Sequence, residues 1–277
     1  MLYSIRQFAR KTLAAGVRDN LADMLGRAAL SSVPTTRIDS ANLRPRVDTN
    51  AIWSDPAISA AWDRDQEDIF SKWPSGSGAV NRGDARAIYY LVSYLKPKRV
   101  LEIGTNIGSS TIYIAAALQR YGGEVTTVDI VDVNAPDGPW SRTNAMREPP
   151  VAYMRQLGLA DRVQFVKRPA LEYLEAAPQY DLIFLDGSHA HNDVYREVAA
   201  AVTHLAPGGI ILLHDYYPGG KPLFAGTRPL MGPYRAIARY LREGAPLEVL
   251  PFGELPWPTK SAKDRGFSSL AFLTRAG

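Results

Sequence analysis

The sequence predicts an α/β domain built on a mostly parallel, seven-stranded sheet with helices on both faces. From about residue 84 onward, short apolar runs alternate with helical segments, which is the pattern of βαβ units. Four of the apolar runs end at an acidic residue, and the first leads directly into a glycine turn. Ligands of open parallel sheets bind outside the carboxyl ends of the strands. The pattern therefore predicts a ligand site at that edge of the sheet.

The N-terminal region, residues 1–78, is predicted to be a helical extension. Apolar residues recur at every fourth position from Ile5 to Leu25, which indicates a helix over residues 2–30. Residues 31–50 have a linker composition, and aromatic residues then suggest a second helix that caps the domain. We expect the extension to pack on the domain or on a second subunit. The alternative is a basic amphipathic helix at a membrane surface.

The sheet domain is predicted to occupy residues 79–277. The helix that opens it ends before Lys96 and Pro97, because proline cannot continue a helix. Right-handed crossovers then place the helices on both faces of the sheet. Strands are predicted at residues 99–103, 124–129, 163–167, 181–185, 210–214, 247–250 and 270–274, and helices at 84–95, 110–121, 149–157, 169–177, 194–205 and 232–243. Two connections at the carboxyl edge, 130–148 and 216–231, are long enough to be lids.

Composition and charge exclude several classes of protein. The net charge of +4 comes from residues 1–46, which hold eight Lys and Arg against three Asp and Glu. The nearly neutral remainder lacks the basic patch of a nucleic-acid-binding domain, so no nucleic-acid partner is expected. The absence of cysteine excludes disulfides and thiolate metal sites. No apolar run is long enough for a membrane-spanning helix, and basic residues interrupt any secretory signal, so a cytoplasmic location is expected.

The glycine turn after residue 103 does not match the phosphate-binding patterns. A dinucleotide fingerprint requires glycine at positions 104, 106 and 109, but this chain has Asn106 and Ser109. A P-loop requires a lysine that is also missing. The spacing therefore disfavours a nicotinamide oxidoreductase and a nucleotide hydrolase. Gly104 and Gly108 are instead expected to let the backbone approach a different ligand.

Acidic residues around this turn indicate the charge of the ligand. Glu102 would repel an anion but attract a sulfonium or ammonium group. Asp129, at the end of the next strand, suits two ribose hydroxyls. Because an unpaired buried charge is costly, these carboxylates are expected to face a ligand and not to lie in the core. The alternative for Glu102 is a salt bridge to a nearby lysine.

These motifs resemble a known family. Residues 100–110, VLEIGTNIGSS, resemble the first motif of class I S-adenosylmethionine-dependent methyltransferases, which have a Rossmann-like fold. Asp129 matches the ribose-binding acid of that family, and residues 205–209, LAPGG, resemble the turn before its fifth strand. Over about residues 79–277 the chain is most similar to enzymes related to catechol O-methyltransferase and to macrolide-sugar O-methyltransferases. N-terminal helices often build the dimer in the macrolide-sugar group.

The resemblance implies S-adenosylmethionine as cofactor, a hydroxylated small molecule as substrate, and a homodimer or higher homo-oligomer. It implies cofactor contacts from Glu102, Gly104, Thr105, Asn106, Gly108, Ser109, Ser110, Asp129, Ile130, Ala170 and Asp186.

A second group of polar residues follows the fourth and fifth strands. Asp186 and Asp215 end neighbouring strands, which lie about 4.8 Å apart, so the two carboxylates can share one ligand. With substrate oxygens and water they would suit Mg²⁺ or another hard divalent ion, which lowers the pKa of a bound hydroxyl. The resemblance implies the same metal-binding role for both acids. Its third ligand comes from beside the second acid, where this chain has His214. Alternatively, the two acids accept hydrogen bonds from the substrate.

Two histidines are candidates for the catalytic base. His189 lies three residues after Asp186, and neutral imidazole is the usual base near pH 7. The macrolide-sugar relatives imply this role for His189, and His214 is the rival. The predicted function is therefore metal-assisted O-methylation of a sugar or phenolic natural product. A metal-independent N-methyltransferase and a non-catalytic protein that binds the cofactor remain the alternatives.

Overall fold

The computed structural model describes residues 15–74, 79–223, 228–259 and 266–277, with side chains from residue 20 onward. Within these ranges one seven-stranded sheet forms, in the order β3-β2-β1-β4-β5-β7-β6. The first five strands of that order pair in parallel, and β7 is antiparallel to both β5 and β6. The strands are β1 (Arg99–Ile103), β2 (Glu124–Asp129), β3 (Val163–Lys167), β4 (Tyr180–Leu185), β5 (Leu205–Leu213), β6 (Leu247–Pro251) and β7 (Ala271–Arg275). The predicted fold class is confirmed.

The helices lie close to their predicted positions. They are α1 (Ala15–Ser31), α2 (Thr49–Trp53), α3 (Pro56–Asp68), α4 (Arg82–Leu95), α5 (Thr111–Gln119), α6 (Pro150–Gln156), α7 (Ala170–Leu174), α8 (His191–Thr203) and α9 (Met231–Arg242). The predicted N-terminal helix is described only from Ala15, so Ile5 lies outside the described residues. No helix of the described ranges combines the length and the apolar character needed to cross a bilayer.

The sheet separates two hydrophobic cores. Side chains alternate along β4, so that Leu182 and Phe184 face one core while Ile183 and Leu185 face the other. Helices α4 and α5 and residues 49–73 cover the first core. Helices α8 and α9 and the end of α1 cover the second. The N-terminal segments therefore share their buried surface with the sheet.

The order of the strands determines where a ligand can enter. β1 lies between β2 and β4, so the chain leaves β1 toward one side of the sheet and later returns on the other. Such a switch point opens a crevice at the carboxyl edge of an α/β sheet. The backbone closes tightly at its floor, where the Gly104 N–H donates to the Val128 carbonyl at 2.8 Å and the Asp186 N–H donates to the Ile103 carbonyl at 2.9 Å.

Candidate active site

A cavity of about 820 Å³ opens at this switch point. Its walls come from the turns after β1 to β5 and from α7 and α8. Twelve of the residues predicted from the sequence line it: Gly104, Thr105, Asn106, Ser109, Ser110, Asp129, Ile130, Ala170, Asp186, His189, His214 and Asp215. Glu102 and Gly108, also predicted as ligand contacts, are not among the lining residues.

The two glycines of the turn have different roles. Gly104 has φ of 101°, and a Cβ atom there would lie 2.4 Å from the Asp186 carbonyl oxygen. A side chain at this position would separate the ends of β1 and β4. Gly108 also has a positive φ, of 77°, but its Cβ position faces the side chains of Pro150 and Trp73. Gly108 therefore serves the conformation of the turn, and Gly104 also allows the backbone after β1 to approach Asp186 closely.

Glu102 corrects the prediction that the strand-end carboxylates lie outside the core. Its side chain is fully buried, and it accepts hydrogen bonds from the hydroxyls of Ser110 at 2.5 Å, Thr111 at 2.6 Å and Thr127 at 2.6 Å. Burial raises its pKa to about 7, although the three hydroxyl donors oppose that shift. The three hydroxyl donors compensate for the burial of the carboxyl group, and within the described residues no lysine forms the alternative salt bridge to Glu102.

Asp129 lies at the end of β2 and lines the cavity. Its Oδ2 accepts the Asn106 N–H at 2.9 Å and its Oδ1 accepts the Val131 N–H at 3.1 Å. A carboxylate has about four lone-pair sites, so each oxygen keeps capacity for a ligand hydroxyl. The adjacent Ile130 is 69% exposed, which is unusual for a large apolar side chain and leaves an apolar surface beside Asp129.

His189 and Asp215 form a pair at the opposite side of the cavity. His189 Nε2 lies 2.9 Å from Asp215 Oδ2 and 3.9 Å from Asp186 Oδ1. The hydrogen bond with Asp215 raises the pKa of His189, while burial acts against that shift. Asp215 has φ of 51°, a left-handed conformation that non-glycine residues rarely adopt and that often marks functional sites.

His214 is held between two carboxylates and is almost completely buried. Its Nδ1 lies 3.0 Å from Asp186 Oδ1, and its Nε2 lies 3.4 Å from Asp84 Oδ2. Burial disfavours the charged ring, but Asp186 and Asp84 outweigh this effect and raise the pKa of His214 well above its usual range. Nδ1 is thus engaged with Asp186, whereas Nε2 lies near Asp84 without making a hydrogen bond in the described residues.

The group that can hold a metal ion differs from the predicted one. Asp186, His189 and Asp215 offer ligand atoms that all lie within 4.8 Å of one another. The structure therefore brings His189 to the two acids where the sequence analysis placed His214. The physical reason is that His214, the residue after β5, has its ring near the buried Asp84, whereas Asp215 adopts a left-handed backbone conformation and lies beside His189.

Two close backbone contacts position the segment that carries His189. A Cβ atom at Gly232, in the first turn of α9, would lie 2.1 Å from the His189 carbonyl oxygen. A Cβ atom at Gly26, on α1, would lie 2.4 Å from Nδ1 of His191. His191 Nε2 also lies 3.2 Å from Asp23 Oδ1. Helices α1 and α9 thus hold the start of α8 from both sides.

Comparison with known proteins identifies the family. Residues 101–216 match the family described as a methyltransferase domain. The rhamnosyl O-methyltransferase of Mycobacterium tuberculosis is 28% identical over 154 residues, which are 54% of this chain. The catechol O-methyltransferase of the same organism is 28% identical over 176 residues, covering 63% of this chain and 71% of the relative. Residues 101–216 are therefore a methyltransferase domain, and the chain is similar to S-adenosylmethionine-dependent O-methyltransferases.

The match to the rhamnosyl O-methyltransferase spans 58% of that relative's length. Solved structures with this fold include the O-methyltransferase TomG from Streptomyces achromogenes in complex with SAM, with a TM-score of 0.51, 21% identity, and coverage of 81% of this chain and 91% of TomG. The O-methyltransferase from Bacillus cereus in complex with SAH has a TM-score of 0.52 and 19% identity, and the match covers 80% of this chain and 91% of that one. At these identities the structures confirm the fold.

Sequence reasoning missed several residues of this methyltransferase. Asp84 is fully buried beneath His214, and Asn81, three residues earlier, caps α4 by accepting the Asp84 N–H at 2.9 Å. That spacing of Asn and Asp before an apolar helical run is a recognisable helix-start signal, although it does not reveal the contact with His214. Asp193 and Glu197, four residues apart on α8, also line the cavity. Their spacing places them on one helix face, which the sequence analysis did not single out.

The two long connections of the methyltransferase contribute unequally to the cavity. In the 130–148 connection Ile130 is the one lining residue, whereas Trp140 and Met146 pack on the first hydrophobic core. In the 216–231 connection Tyr217 and Leu223 line the cavity, and residues 224–227 lie outside the described ranges. Within the described residues, the second connection therefore contributes more side chains to the cavity and is the better candidate for a lid.

Proposed function

We propose that this protein transfers the methyl group of S-adenosylmethionine to a hydroxyl oxygen of a small molecule. One observation carries the proposal: a single cavity holds Asp129 and the His189–Asp215 pair. Asp129 suits the hydroxyls of a ribose, and the His189–Asp215 pair suits removal of a proton from the acceptor hydroxyl. The relatives named rhamnosyl and catechol O-methyltransferase support oxygen as the acceptor atom. A hydroxylated sugar or a phenol is accordingly the proposed substrate class.

The order of the strands supports one direction for the bound cofactor. Asp129 ends β2, whereas Asp186 and Asp215 follow β4 and β5 on the other side of β1. With the ribose on Asp129, the sulfonium end extends over Gly104 toward His189. The adenine end of the cofactor then extends toward Ala170, which follows β3. Glu102 lies beneath this path and supports Ser110 in the turn.

His189 is the proposed base. When Nε2–H donates to Asp215, the lone pair of the ring is on Nδ1, and Asp215 stabilises the imidazolium that forms, as in other carboxylate–histidine pairs. S-adenosylmethionine supplies a methyl group bonded to a positively charged sulfur. The acceptor oxygen gains that methyl group and its proton passes to His189, so S-adenosylhomocysteine and the methyl ether are the products. Alignment of the acceptor with the methyl group contributes most of the rate.

Asp186 and Asp215 are the proposed ligands of a divalent metal ion. The two carboxylates supply the oxygen donors that hard divalent ions prefer, so Mg²⁺ and Mn²⁺ both suit the pair. When bound there, such an ion lowers the pKa of a hydroxyl that coordinates it. His214, directed at Asp84, keeps positive charge beside the two acids.

The test combines binding with activity. Calorimetry with S-adenosylhomocysteine should show binding, and labelled S-adenosylmethionine should label hydroxylated sugars or phenols at oxygen. Each acceptor is assayed with excess chelator and after addition of Mg²⁺ or Mn²⁺. Turnover that chelator abolishes and an ion restores supports the metal. Full activity in chelator removes the metal from the proposal, label on nitrogen makes the protein an N-methyltransferase, and binding without transfer to any acceptor indicates a non-catalytic binding protein.

A further inference from the structure

Glu197 is a polar residue of the cavity wall that the proposed mechanism does not use. It lies on α8, its side chain is only 6% exposed, and it lines the cavity. Within the described part of the chain its carboxyl group makes no hydrogen bond. Asp193, one turn earlier, differs in that it accepts the Ser188 hydroxyl at 2.8 Å. A buried polar group without a partner costs free energy, which a ligand that bonded to it would recover.

The position of Glu197 indicates which part of the cofactor it meets. Helix α8 packs against α7, and Ala170 and Leu171 of α7 line the same cavity. Glu197 and Leu171 therefore lie on two neighbouring helices that both contribute to the cavity wall. Helix α7 follows β3, on the far side of β2 from His189. This inference rests on the proposed function, in which the adenine end of the cofactor extends toward that wall.

The chemistry of the group fits that end of the ligand. Adenine presents an exocyclic N–H donor next to a ring nitrogen acceptor. A protonated carboxyl group presents a carbonyl acceptor next to an O–H donor, so the two edges can form a pair of hydrogen bonds. Burial raises the pKa of Glu197 to about 8, the negative charge of Asp193 adds to that shift, and His189 opposes it. The carboxyl group therefore keeps its proton to a higher pH than an ordinary glutamate.

We propose that Glu197 recognises the adenine of the cofactor, with its carbonyl oxygen accepting from the exocyclic amine and its O–H donating to the neighbouring ring nitrogen. This assigns to α8 a binding residue for the nucleobase, separate from the ribose contact at Asp129. It also gives the uncharged state of Glu197 a function, since an ionised carboxylate has no hydrogen to donate to the ring nitrogen.

The test measures the dependence of binding on the exocyclic amine. Calorimetry compares S-adenosylhomocysteine with the analogue whose purine lacks that amine. The wild-type protein should bind S-adenosylhomocysteine about tenfold more tightly, the scale of one hydrogen bond lost from a buried partner. Glu197→Leu should bind the two ligands equally within about twofold. Glu197→Gln should keep the preference, because its amide also offers a donor and an acceptor.

Glu172→Leu is the matched control, because Glu172 is an exposed glutamate on α7 outside the cavity lining. It should keep the wild-type preference. The ratio of the two affinities within one variant does not depend on the fraction of folded protein, so partial unfolding of Glu197→Leu does not obscure the result. A preference that survives in Glu197→Leu, or is missing in the wild type, overturns the assignment. A wild-type protein that binds neither ligand contradicts the proposed function instead.

Discussion

Gly26 and His191 approach so closely that a methyl group would not fit between them, since a Cβ atom on Gly26 would lie 2.4 Å from the imidazole. Asp23, on the same helix, accepts a hydrogen bond from Arg235 at 3.2 Å and pairs with His191. His191 begins α8 two residues after His189. The N-terminal helix therefore supports the segment that carries the proposed base.

Gly26→Val should lower kcat by about tenfold or more, because a displacement of the His189 segment by about 1 Å misaligns the reacting groups. Overpacking should also cost about 1–3 kcal/mol of unfolding free energy. The affinity for S-adenosylhomocysteine should change by less than about twofold. Met24→Val, at an exposed position of the same helix, is the control. Equal kcat values for the two variants would show that α1 does not position His189.

Asp129→Ala should weaken the binding of S-adenosylhomocysteine by about 1.5–3 kcal/mol, the range for hydrogen bonds to a charged group. The lost carboxylate is the group that can accept from the ribose hydroxyls. Calorimetry measures the change. Asp132→Ala removes an exposed carboxylate from the same connection and should bind like the wild type. Unchanged affinity in Asp129→Ala would place the ribose elsewhere.

His189→Ala should lower kcat by about 10²–10⁴-fold, the usual effect of losing a general base. The affinity for S-adenosylhomocysteine should be nearly unchanged, because Asp129 lies on the other side of the cavity. Steady-state kinetics at saturating cofactor measures the effect. Near-normal turnover in this variant would exclude His189 as the base.

His214→Ala should reduce stability strongly. Removal of the ring leaves Asp84 and Asp186 buried or half-buried without their shared cation, and breaking such a pair costs about 3–5 kcal/mol. Denaturant unfolding measures the loss. His204→Ala, at the partly exposed residue that follows α8, should lose less than about 1 kcal/mol. A stable His214→Ala variant that lacks all turnover would instead favour His214 as the base.

The raised pKa of Glu197 should make stability depend on pH. Its carboxyl group has a pKa of about 8 when folded and 4.5 as its ordinary value, so between these values the folded protein binds more protons than the unfolded chain. Stability therefore falls as pH rises through this window. The wild type should lose at least about 1 kcal/mol more than Glu197→Gln between pH 5 and pH 8, measured by denaturant unfolding. Identical pH dependence would show that Glu197 ionises normally.

The sequence was sufficient to predict the fold because each βαβ unit is encoded locally. Apolar runs of strand length, helix stops such as Lys96 and Pro97, and turn glycines fall within a few residues of one another. The same locality placed Asp129, Asp186 and Asp215 at the carboxyl edge, since an acid that directly follows a strand must lie there. Local patterns of this kind do not show whether a polar residue inside a strand, such as Glu102, is buried.

Glu102 and His214 show what local patterns cannot contain. The hydroxyls that bond to Glu102 come from α5 and β2, and the carboxylate that faces His214 Nε2 comes from α4. The sequence pattern of each segment does not single out any of these partner residues. Only the packing of the segments shows that Glu102 belongs to the core and that His214 lies between Asp186 and Asp84. The roles of polar residues therefore depend on contacts that lie far apart in the chain.

The hydroxyl groups above Glu102 also have a fixed direction. When Glu102 is ionised, Thr127 donates its single hydrogen to it, so the contact of 2.6 Å between Thr105 Oγ1 and Thr127 Oγ1 requires Thr105 to be the donor. Ser110 likewise donates its hydrogen to Glu102. Thr105 and Ser110 both line the cavity, and they face it with oxygen lone pairs only. These hydroxyls of the cavity floor thus accept hydrogen bonds without offering their hydrogens, and Glu102, which lies outside the cavity lining, makes that part of the surface selective for positively charged or hydrogen-donating groups.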